Sequence, residues 1–446
     1  MLHQLPAALL YHICAYLDKP SLFNLCFFHR KTYAVITTAL CHCLGSVRIP
    51  PLYYAVSHQR LDIAERWILQ YGASLDSEYG RKSTLLLAIK LRYPQAVALL
   101  LKHKAYVGYC CDFRGRGLLS IATAYGTVTI VRQLLQQPDI DVNNRCSAGM
   151  TAVIYAIEHR QYAILQLLLL DPRVELNVEN NVRQTPLHFA ISKEDYLSVQ
   201  ILVQNQRVNV NYPNFRGDTP LLLAARKFSD HNSTRLVESL LLNSDLNVNY
   251  QDFNGRTALW HAVSGRKERL LRLLLRQNGL KLNTADRSGV APLACAAEAP
   301  FFSAAYLLLQ QPGIQLNAQS RRVIPPLWCA CRAGQYQIVR LLLRQKSIDV
   351  NQKSPTGTTP LQVAVMFGHS STVSLLLQHD SVLVNEPGPH KFTALLFASA
   401  NGLRESAENL LRHPDTDSTT IDDQGRTSLW WAQHGGHSEI VRLLSR

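Results

Sequence analysis

The chain has few cysteines and none at C-x-x-C spacing, which argues against a disulfide framework and against a zinc site. Ten cysteines among 446 residues are too few for a disulfide framework. None of them forms a C-x-x-C pair, since Cys41-x-Cys43 and Cys329-x-Cys331 are one residue too tight and Cys110 and Cys111 are adjacent. We therefore predict free thiols, a reducing compartment and no zinc site.

Long apolar runs are also missing. No stretch of eighteen apolar residues occurs, and the longest candidate, around residues 164–170, ends at Asp171. The apolar segment at residues 5–17 has no basic stretch before it and no small-residue cleavage site, so we predict no signal peptide. We expect a soluble protein inside the cell, in the cytoplasm or the nucleus, without membrane contact.

Motifs that carry catalytic chemistry are missing as well. The sequence has no P-loop, no G-x-G-x-x-G, no H-E-x-x-H and no G-x-S-x-G. Sixteen histidines are scattered rather than clustered, and we expect His188 and His261 to serve packing or local hydrogen bonds. Cys295 and Cys329 are predicted to pack in the core, because stacked helices lie too far apart for a disulfide. We expect no enzyme, no cofactor and no metal.

What the chain does have is an internal repeat of about 34 residues. A Leu-x-x-Ala pattern recurs twelve times in step, with Val153 in place of the leucine once. The steps are 33 or 34 residues, apart from one of 38. We call the alanines the alanine column; they are Ala55, Ala88, Ala122, Ala156, Ala190, Ala224, Ala262, Ala296, Ala330, Ala364, Ala398 and Ala432.

The residues around this column predict the shape of each unit. In the runs that begin at Thr185, Thr219 and Thr359, a threonine can cap a helix whose first turn accepts the proline that follows. A glycine four residues after the alanine suits a left-handed helix end, and a leucine-rich second helix follows. A column of asparagines comes next, and then a turn glycine in seven repeats. The asparagines are Asn143, Asn177, Asn211, Asn249, Asn283, Asn317, Asn351 and Asn385. Each unit therefore reads as helix, turn, helix and hairpin.

This unit resembles the ankyrin repeat, whose T-P-L-H-x-A signature stands here from Thr185 to Ala190. The resemblance covers residues 48–446, about twelve repeats. The signature histidine survives only as His188, which puts the polar bridging between repeats in doubt elsewhere. The four extra residues of the long step, at residues 226–233, are predicted to form a surface loop between the two helices of the sixth repeat. The predicted fold class is an all-α repeat solenoid, an ankyrin stack with a small N-terminal helical domain.

Residues 1–45 differ from the repeats. Their apolar residues lie on one face of a predicted helix that starts near a proline. With the break at residues 18–21 and the second apolar segment, they resemble an F-box, although Ala8 replaces the usual acidic residue. The order of F-box and ankyrin repeats is similar to that of fungal F-box–ankyrin proteins. The resemblance implies that a Skp-family adaptor of a cullin–RING ubiquitin ligase binds Leu5, Pro6, Leu9, Ile13 and Leu17.

Three functions are compatible with these patterns. The first is a substrate receptor, in which the F-box binds the adaptor and the repeats bind a target protein. The second is an ankyrin scaffold without a ligase link, where residues 1–45 only cap the stack. The third, nucleic-acid binding, is disfavoured because the basic residues that give the net charge of +14 are dispersed.

Aromatic and arginine residues at the hairpin tips are the predicted partner-binding residues. Such side chains are common interface anchors, and the net charge favours an acidic target segment. The alternative is that they are merely solvated or brace the next hairpin. The predicted residues are Phe215, Arg216, Phe253, Arg287, Arg321 and Arg322. No polar cap precedes the last residue, Arg446, which leaves open an incomplete end, a frayed end or a partner there.

Overall fold

A computed structural model describes residues 50–69, 73–76, 78–79, 82–107, 111–318, 320 and 322–445. The predicted F-box residues Leu5, Pro6, Leu9, Ile13 and Leu17 lie outside the described residues, and so does Arg321. The adaptor-binding prediction therefore stays a prediction.

The described residues form twelve helix pairs, which we number repeats 1 to 12. The chain divides into two compact units, one ending at Val208 and the other spanning Asn209–Arg446. Unit 1 holds repeats 1 to 5 and unit 2 holds repeats 6 to 12. Within each unit, every first helix packs against its own second helix and against the first helix of the following repeat. The predicted all-α repeat class is confirmed.

The first helices, in order, are Pro51–Ser57, Thr84–Lys90, Leu118–Ala124, Ala152–Glu158, Pro186–Ser192, Pro220–Lys227, Ala258–Ser264, Pro292–Glu298, Pro326–Arg332, Pro360–Met366, Ala394–Ala400 and Ser428–His434. The second helices are Leu61–Leu69, Pro94–Lys102, Val128–Leu135, Tyr162–Leu170, Tyr196–Val203, Asp230–Leu240, Glu268–Leu275, Phe302–Leu309, Tyr336–Leu343, Ser370–Leu377, Arg404–Leu411 and Ser438–Leu444. Short antiparallel strands Glu78–Tyr79 and Lys82–Ser83 pair in one hairpin, and Pro389–Lys391 is a 3-10 turn in another. None of the helices in the described ranges has the length and apolarity that a bilayer crossing requires.

The alanine column forms the centre of the core. All twelve alanines are completely buried. Alanine has no side-chain atom beyond Cβ, so adjacent first helices can approach closely. The residue three positions earlier is buried in every repeat except repeat 12, where Leu429 is half-buried at the end of the stack. The repeated pattern in the sequence is therefore the packing surface between neighbouring repeats.

Local hydrogen bonds start and stop the helices as predicted. The hydroxyl of a threonine accepts the backbone N–H three residues on in six repeats. These six caps are Thr185, Thr219, Thr257, Thr359, Thr393 and Thr427. At the other end, Gly126, Gly334, Gly368, Gly402 and Gly436 take φ values from +63° to +73°, the left-handed helix end that glycine adopts without strain.

The asparagine column forms a ladder between repeats. Each of its eight side chains donates from Nδ2 to a backbone carbonyl of the following repeat, over 2.6–2.9 Å. In seven of them Oδ1 also accepts a backbone N–H there, as Asn283 does from Gln315 at 2.9 Å. One amide side chain therefore satisfies both a donor and an acceptor of the neighbouring turn, as a paired backbone would.

The predicted loop in repeat 6 is wrong. The extra residues instead lengthen its second helix to eleven residues, Asp230–Leu240, with Ser229 as the cap. The Asp230 carboxylate accepts the backbone N–H groups of Arg269 and Leu270, both at 3.0 Å. These amides lie in the first turn of the next repeat's second helix and have no partner within that helix. The insertion is therefore helical, and the first residue of the lengthened helix supplies a cap across the repeat boundary.

Candidate partner-binding surface

Four hairpins of unit 2, those before repeats 6, 7, 8 and 12, are each built around one buried acceptor. In the hairpin before repeat 6, Asn214 Oδ1 accepts the backbone N–H groups of Arg216 at 2.9 Å and Asp218 at 3.1 Å. Asp252, Asp286 and Asp422 bind their own hairpins in the same way. This arrangement closes the turn from inside and leaves the tip residues pointing outward.

The structure places five of the six predicted site residues at four successive hairpin tips, before repeats 6, 7, 8 and 9. Phe215 and Phe253 are half exposed. Phe253 also packs against Gly217 of the preceding hairpin. The contact is so close that a Cβ added to Gly217 would lie 2.8 Å from the Phe253 ring. The Arg287 backbone N–H donates to Asn254 at 2.8 Å. The tip residues therefore contact the neighbouring hairpin and are at the same time exposed enough to contact a partner.

The carboxylates below these tips have internal partners. Asp218 forms an ion pair with Arg226, and Asp286 lies 3.6 Å from Arg256. Asp252 is hydrogen-bonded to His261 at 3.0 Å. Burial raises the pKa of Asp218, and burial lowers the pKa of His261. By contrast, the exposed side chains of Arg216, Arg287 and Arg322 form no ion pair with any described residue. The outward charge of these hairpins is therefore positive.

A second feature of unit 2, an aromatic hollow, was not predicted. It has a volume of about 470 Å³ and lies between the first helices of repeats 9 to 11 and the hairpins before repeats 10 and 11. Its apolar walls are Trp328, Val363, Met366, Phe367, Phe392 and Phe397. Phe392 holds the far wall together, since its ring lies 5.0 Å from Phe397 and 5.4 Å from Trp431.

Polar contacts hold the near wall. The Trp328 indole N–H donates to Thr358 Oγ1 at 2.9 Å, and the Arg332 guanidinium lies 5.2 Å from its ring centre. Arg332 in turn is ion-paired with Glu298. In repeat 7, Trp260 donates likewise to the Val290 carbonyl of the next repeat at 3.1 Å. In repeats 7 and 9 an indole N–H thus serves as the donor to the next repeat in the position of the signature histidine, and for these two repeats the doubt about bridging is corrected.

The hairpin before repeat 11 forms the rim of the hollow and has an unusual backbone. His390 and Lys391 have φ values of +57° and +58°, and Lys391 stands where seven other hairpins have glycine. A left-handed conformation costs a residue with a side chain about 1–2 kcal/mol. The Gln362 side chain holds the segment by donating to Glu386 O at 2.7 Å and Phe392 O at 3.0 Å. The turn glycine is also missing elsewhere, for example at Arg183 with φ +53°, so its absence at Lys391 does not by itself point to this site.

The described cysteines have no accessible chemistry in this region. Cys295, Cys329 and Cys331 are buried and free. Burial raises the pKa of Cys295 to about 11 and that of Cys329 to about 12, so both remain protonated thiols. The predicted packing role of Cys295 and Cys329 is confirmed. Across the described ranges, no three His, Cys, Asp or Glu side chains are arranged to hold a metal ion.

Stacked helix pairs, braced hairpins and an exposed row of aromatic and arginine side chains define a repeat protein of the protein-binding class. Models of ankyrin repeats match residues 107–180, 228–320 and 322–387, more than half of the chain, and a single-repeat model matches residues 183–215. The chain belongs to the ankyrin repeat family. Proteins of this family are typically interaction scaffolds with protein partners rather than enzymes.

Other comparisons add detail on similar proteins. The chain is 26% identical to the ankyrin repeat domain of Bcl-3, a member of the IκB protein family, over 51% of this chain and 98% of that one, with a TM-score of 0.45. No curated protein matches the chain. No F-box model matches residues 1–45.

Proposed function

We propose that unit 2 binds an acidic segment of a target protein along the hairpins before repeats 6 to 9. Three observations support this. The arginines at the tips are exposed and without ion pairs among described residues. The carboxylates beneath them have internal partners, through ion pairs at Asp218 and Asp286 and a hydrogen bond at Asp252. The half-exposed Phe215 and Phe253 add apolar surface at the tips before repeats 6 and 7. Arg321, which neighbours Arg322 in the sequence, is part of the same proposal.

The surface can be tested with a fluorescein-labelled, Glu-rich dodecapeptide. The test variant reverses charge at Arg216, Arg287 and Arg322 by substitution with Glu. A matched control reverses three exposed arginines of the same unit away from the hairpin tips, with the same change in net charge. These are Arg340 on a second helix and Arg276 and Arg344, each directly after one. Because exposed charge pairs contribute about 0.5 kcal/mol each, the test variant should weaken binding roughly tenfold and the control much less. Equal loss in both variants would mean that net charge alone attracts the peptide.

We further propose that the chain is the substrate receptor of a cullin–RING ubiquitin ligase. In this proposal residues 1–45 bind a Skp-family adaptor, and the repeats hold the target close to catalytic subunits supplied by other proteins. The observation that carries it is the L-P-x-x-L run at residues 5–9, with Ile13 and Leu17 one and two turns on, directly ahead of a protein-binding repeat array.

The ligase proposal is tested by binding of purified Skp-family adaptor to the full chain. Leu9→Asp with Ile13→Asp places charge on the predicted apolar face and leaves every ankyrin column intact. We expect the wild type to bind and the double variant to lose binding while its circular dichroism is unchanged. A folded wild type that does not bind adaptor would favour the alternative, an ankyrin scaffold whose residues 1–45 only cap the stack.

A further inference from the structure

We propose that the aromatic hollow of repeats 9 to 11 is an anchor pocket for one large apolar side chain of the same acidic target segment. This inference rests on the proposed binding of such a segment to unit 2. It adds a residue type and a position to the target, neither of which follows from the exposed arginines.

The walls of the hollow determine the class of side chain. Met366 is 42% exposed and Phe367 is 57% exposed, so an apolar surface faces solvent at a concave site. An aliphatic or aromatic side chain would remove that surface from water, which is the main source of affinity in such pockets. A volume of about 470 Å³ falls within the usual range for ligand sites and accommodates one large side chain with its flanking backbone.

The pocket is formed before any partner arrives. Trp328 is held by Thr358 and Arg332, and Phe392 is held by Gln362 and Trp431. The two consecutive left-handed residues at the rim, His390 and Lys391, are conformationally strained. Such strain persists only where surrounding contacts hold the backbone in place, as they do here. A preformed pocket loses less entropy on binding than one that must order its walls.

The position of the hollow gives the spacing of the target residues. It follows the arginine-bearing hairpins in the same unit, one to two repeats beyond Arg322. Neighbouring helices lie about 8–10 Å apart, and an extended chain advances about 3.3 Å per residue, so each repeat corresponds to about three residues. The anchor should therefore stand about three to six residues beyond the last carboxylate that meets a hairpin arginine.

Charges near the hollow agree with an acidic segment. Glu298 is paired with Arg332, Glu386 with Lys353, and Asp422 with Arg426. His390 lies 3.6 Å from Asp423, which is half exposed. Lys391 is exposed on the same rim. The paired carboxylates cannot readily attract a basic segment, and Lys391 continues the positive row of the hairpins.

The experiment scans one leucine or tryptophan through a Glu-rich 15-residue peptide and measures affinity for the full chain. The test variant is Met366→Ala with Phe367→Ala. Its control is Phe302→Ala with Tyr306→Ala, two second-helix residues of unit 2 with exposures of 47% and 48%. Burial of one large side chain should raise affinity at least about tenfold at one or two neighbouring positions of the scan. That gain should fall below about twofold in the test variant and persist in the control.

A second readout locates the anchor. A benzoylphenylalanine at the favoured position should photo-crosslink to Met366 or an adjacent wall residue. No gain at any position, a gain that survives Met366→Ala with Phe367→Ala, or a crosslink elsewhere would each overturn the anchor pocket. Binding of the plain acidic peptide that depends on Arg216, Arg287 and Arg322 would leave the proposed function standing in all three cases. An anchor gain without that dependence would retain the pocket and overturn the hairpin surface.

Discussion

The turn position of the hairpins offers a quantitative test of the packing in unit 2. Three repeats have a left-handed residue there in different surroundings: Gly289 with φ +82°, Gly425 with φ +74° and Lys391 with φ +58°. The perturbations are Gly289→Ala, Gly425→Ala and Lys391→Gly. Together they separate two penalties of a side chain at this position: that of the left-handed backbone conformation and that of steric overlap with the next hairpin.

The structure predicts a different result for each substitution. A Cβ on Gly425 meets no atom within 4 Å, so only the left-handed backbone is penalised, by about 1 kcal/mol. A Cβ on Gly289 would lie 1.9 Å from the Arg322 carbonyl oxygen, and the backbone of two hairpins must shift. Overpacking of this kind adds about 1–3 kcal/mol, and the hydrogen bond from Ile324 N–H to Gly289 O is strained as well. We expect a total loss of about 3 kcal/mol.

Lys391→Gly should have the opposite sign. Replacing the exposed lysine removes the energetic penalty of a side chain in the left-handed conformation. The greater freedom of glycine in the unfolded chain offsets part of this gain in stability. We expect stabilisation of about 0.5–1 kcal/mol.

Urea unfolding followed by far-UV circular dichroism and by tryptophan fluorescence measures all three. Agreement of the two probes checks that one transition is observed, since long repeat arrays can unfold in steps. Equal losses for Gly289→Ala and Gly425→Ala would refute the close approach of Gly289 to Arg322. A loss of stability in Lys391→Gly would refute the strain assigned to the rim of the aromatic hollow.

Three further predictions concern contacts between and within repeats. Asn283→Ala removes the hydrogen bonds to Gly313 O and Gln315 N–H and should lower the free energy of unfolding in urea by about 1–2 kcal/mol. Gln251→Ala, at an exposed residue outside the ladder, should lower it little. Asp230→Ala should cost about 1 kcal/mol and speed amide exchange at Arg269 and Leu270; unchanged exchange would contradict the cross-repeat cap. Burial alone would raise the pKa of Asp422, but hydrogen bonds from Arg426 and Trp431 lower it to about 2, from an unfolded value near 3.8. The stabilisation from ionised Asp422 is complete above pH 3.8 and is lost as pH falls towards 2. The difference in unfolding free energy between wild type and Asp422→Asn should therefore shrink over that interval. A difference that stays constant would be inconsistent with the ion pair.

Some features of the site could be anticipated and others could not. The hairpin-tip aromatic and arginine residues followed from the repeat register, and the structure places the described ones at successive tips. The aromatic hollow was missed because its walls come from three repeats at different positions of the unit. The long step was misread as a loop because an added length of four residues does not show by itself whether a helix or a connection becomes longer.

The sequence by itself determined the repeat length, the alanine core, the helix caps and the asparagine column, because each depends on contacts that recur every 34 residues or within one turn of helix. Only the tertiary structure decided that the asparagines bond to the next repeat, that tryptophans replace histidine as donors, and that Lys391 adopts a glycine conformation. Those outcomes depend on which atoms of neighbouring repeats meet. A local pattern fixes the shape of one repeat, and the stacking of successive repeats selects the partner of each polar group.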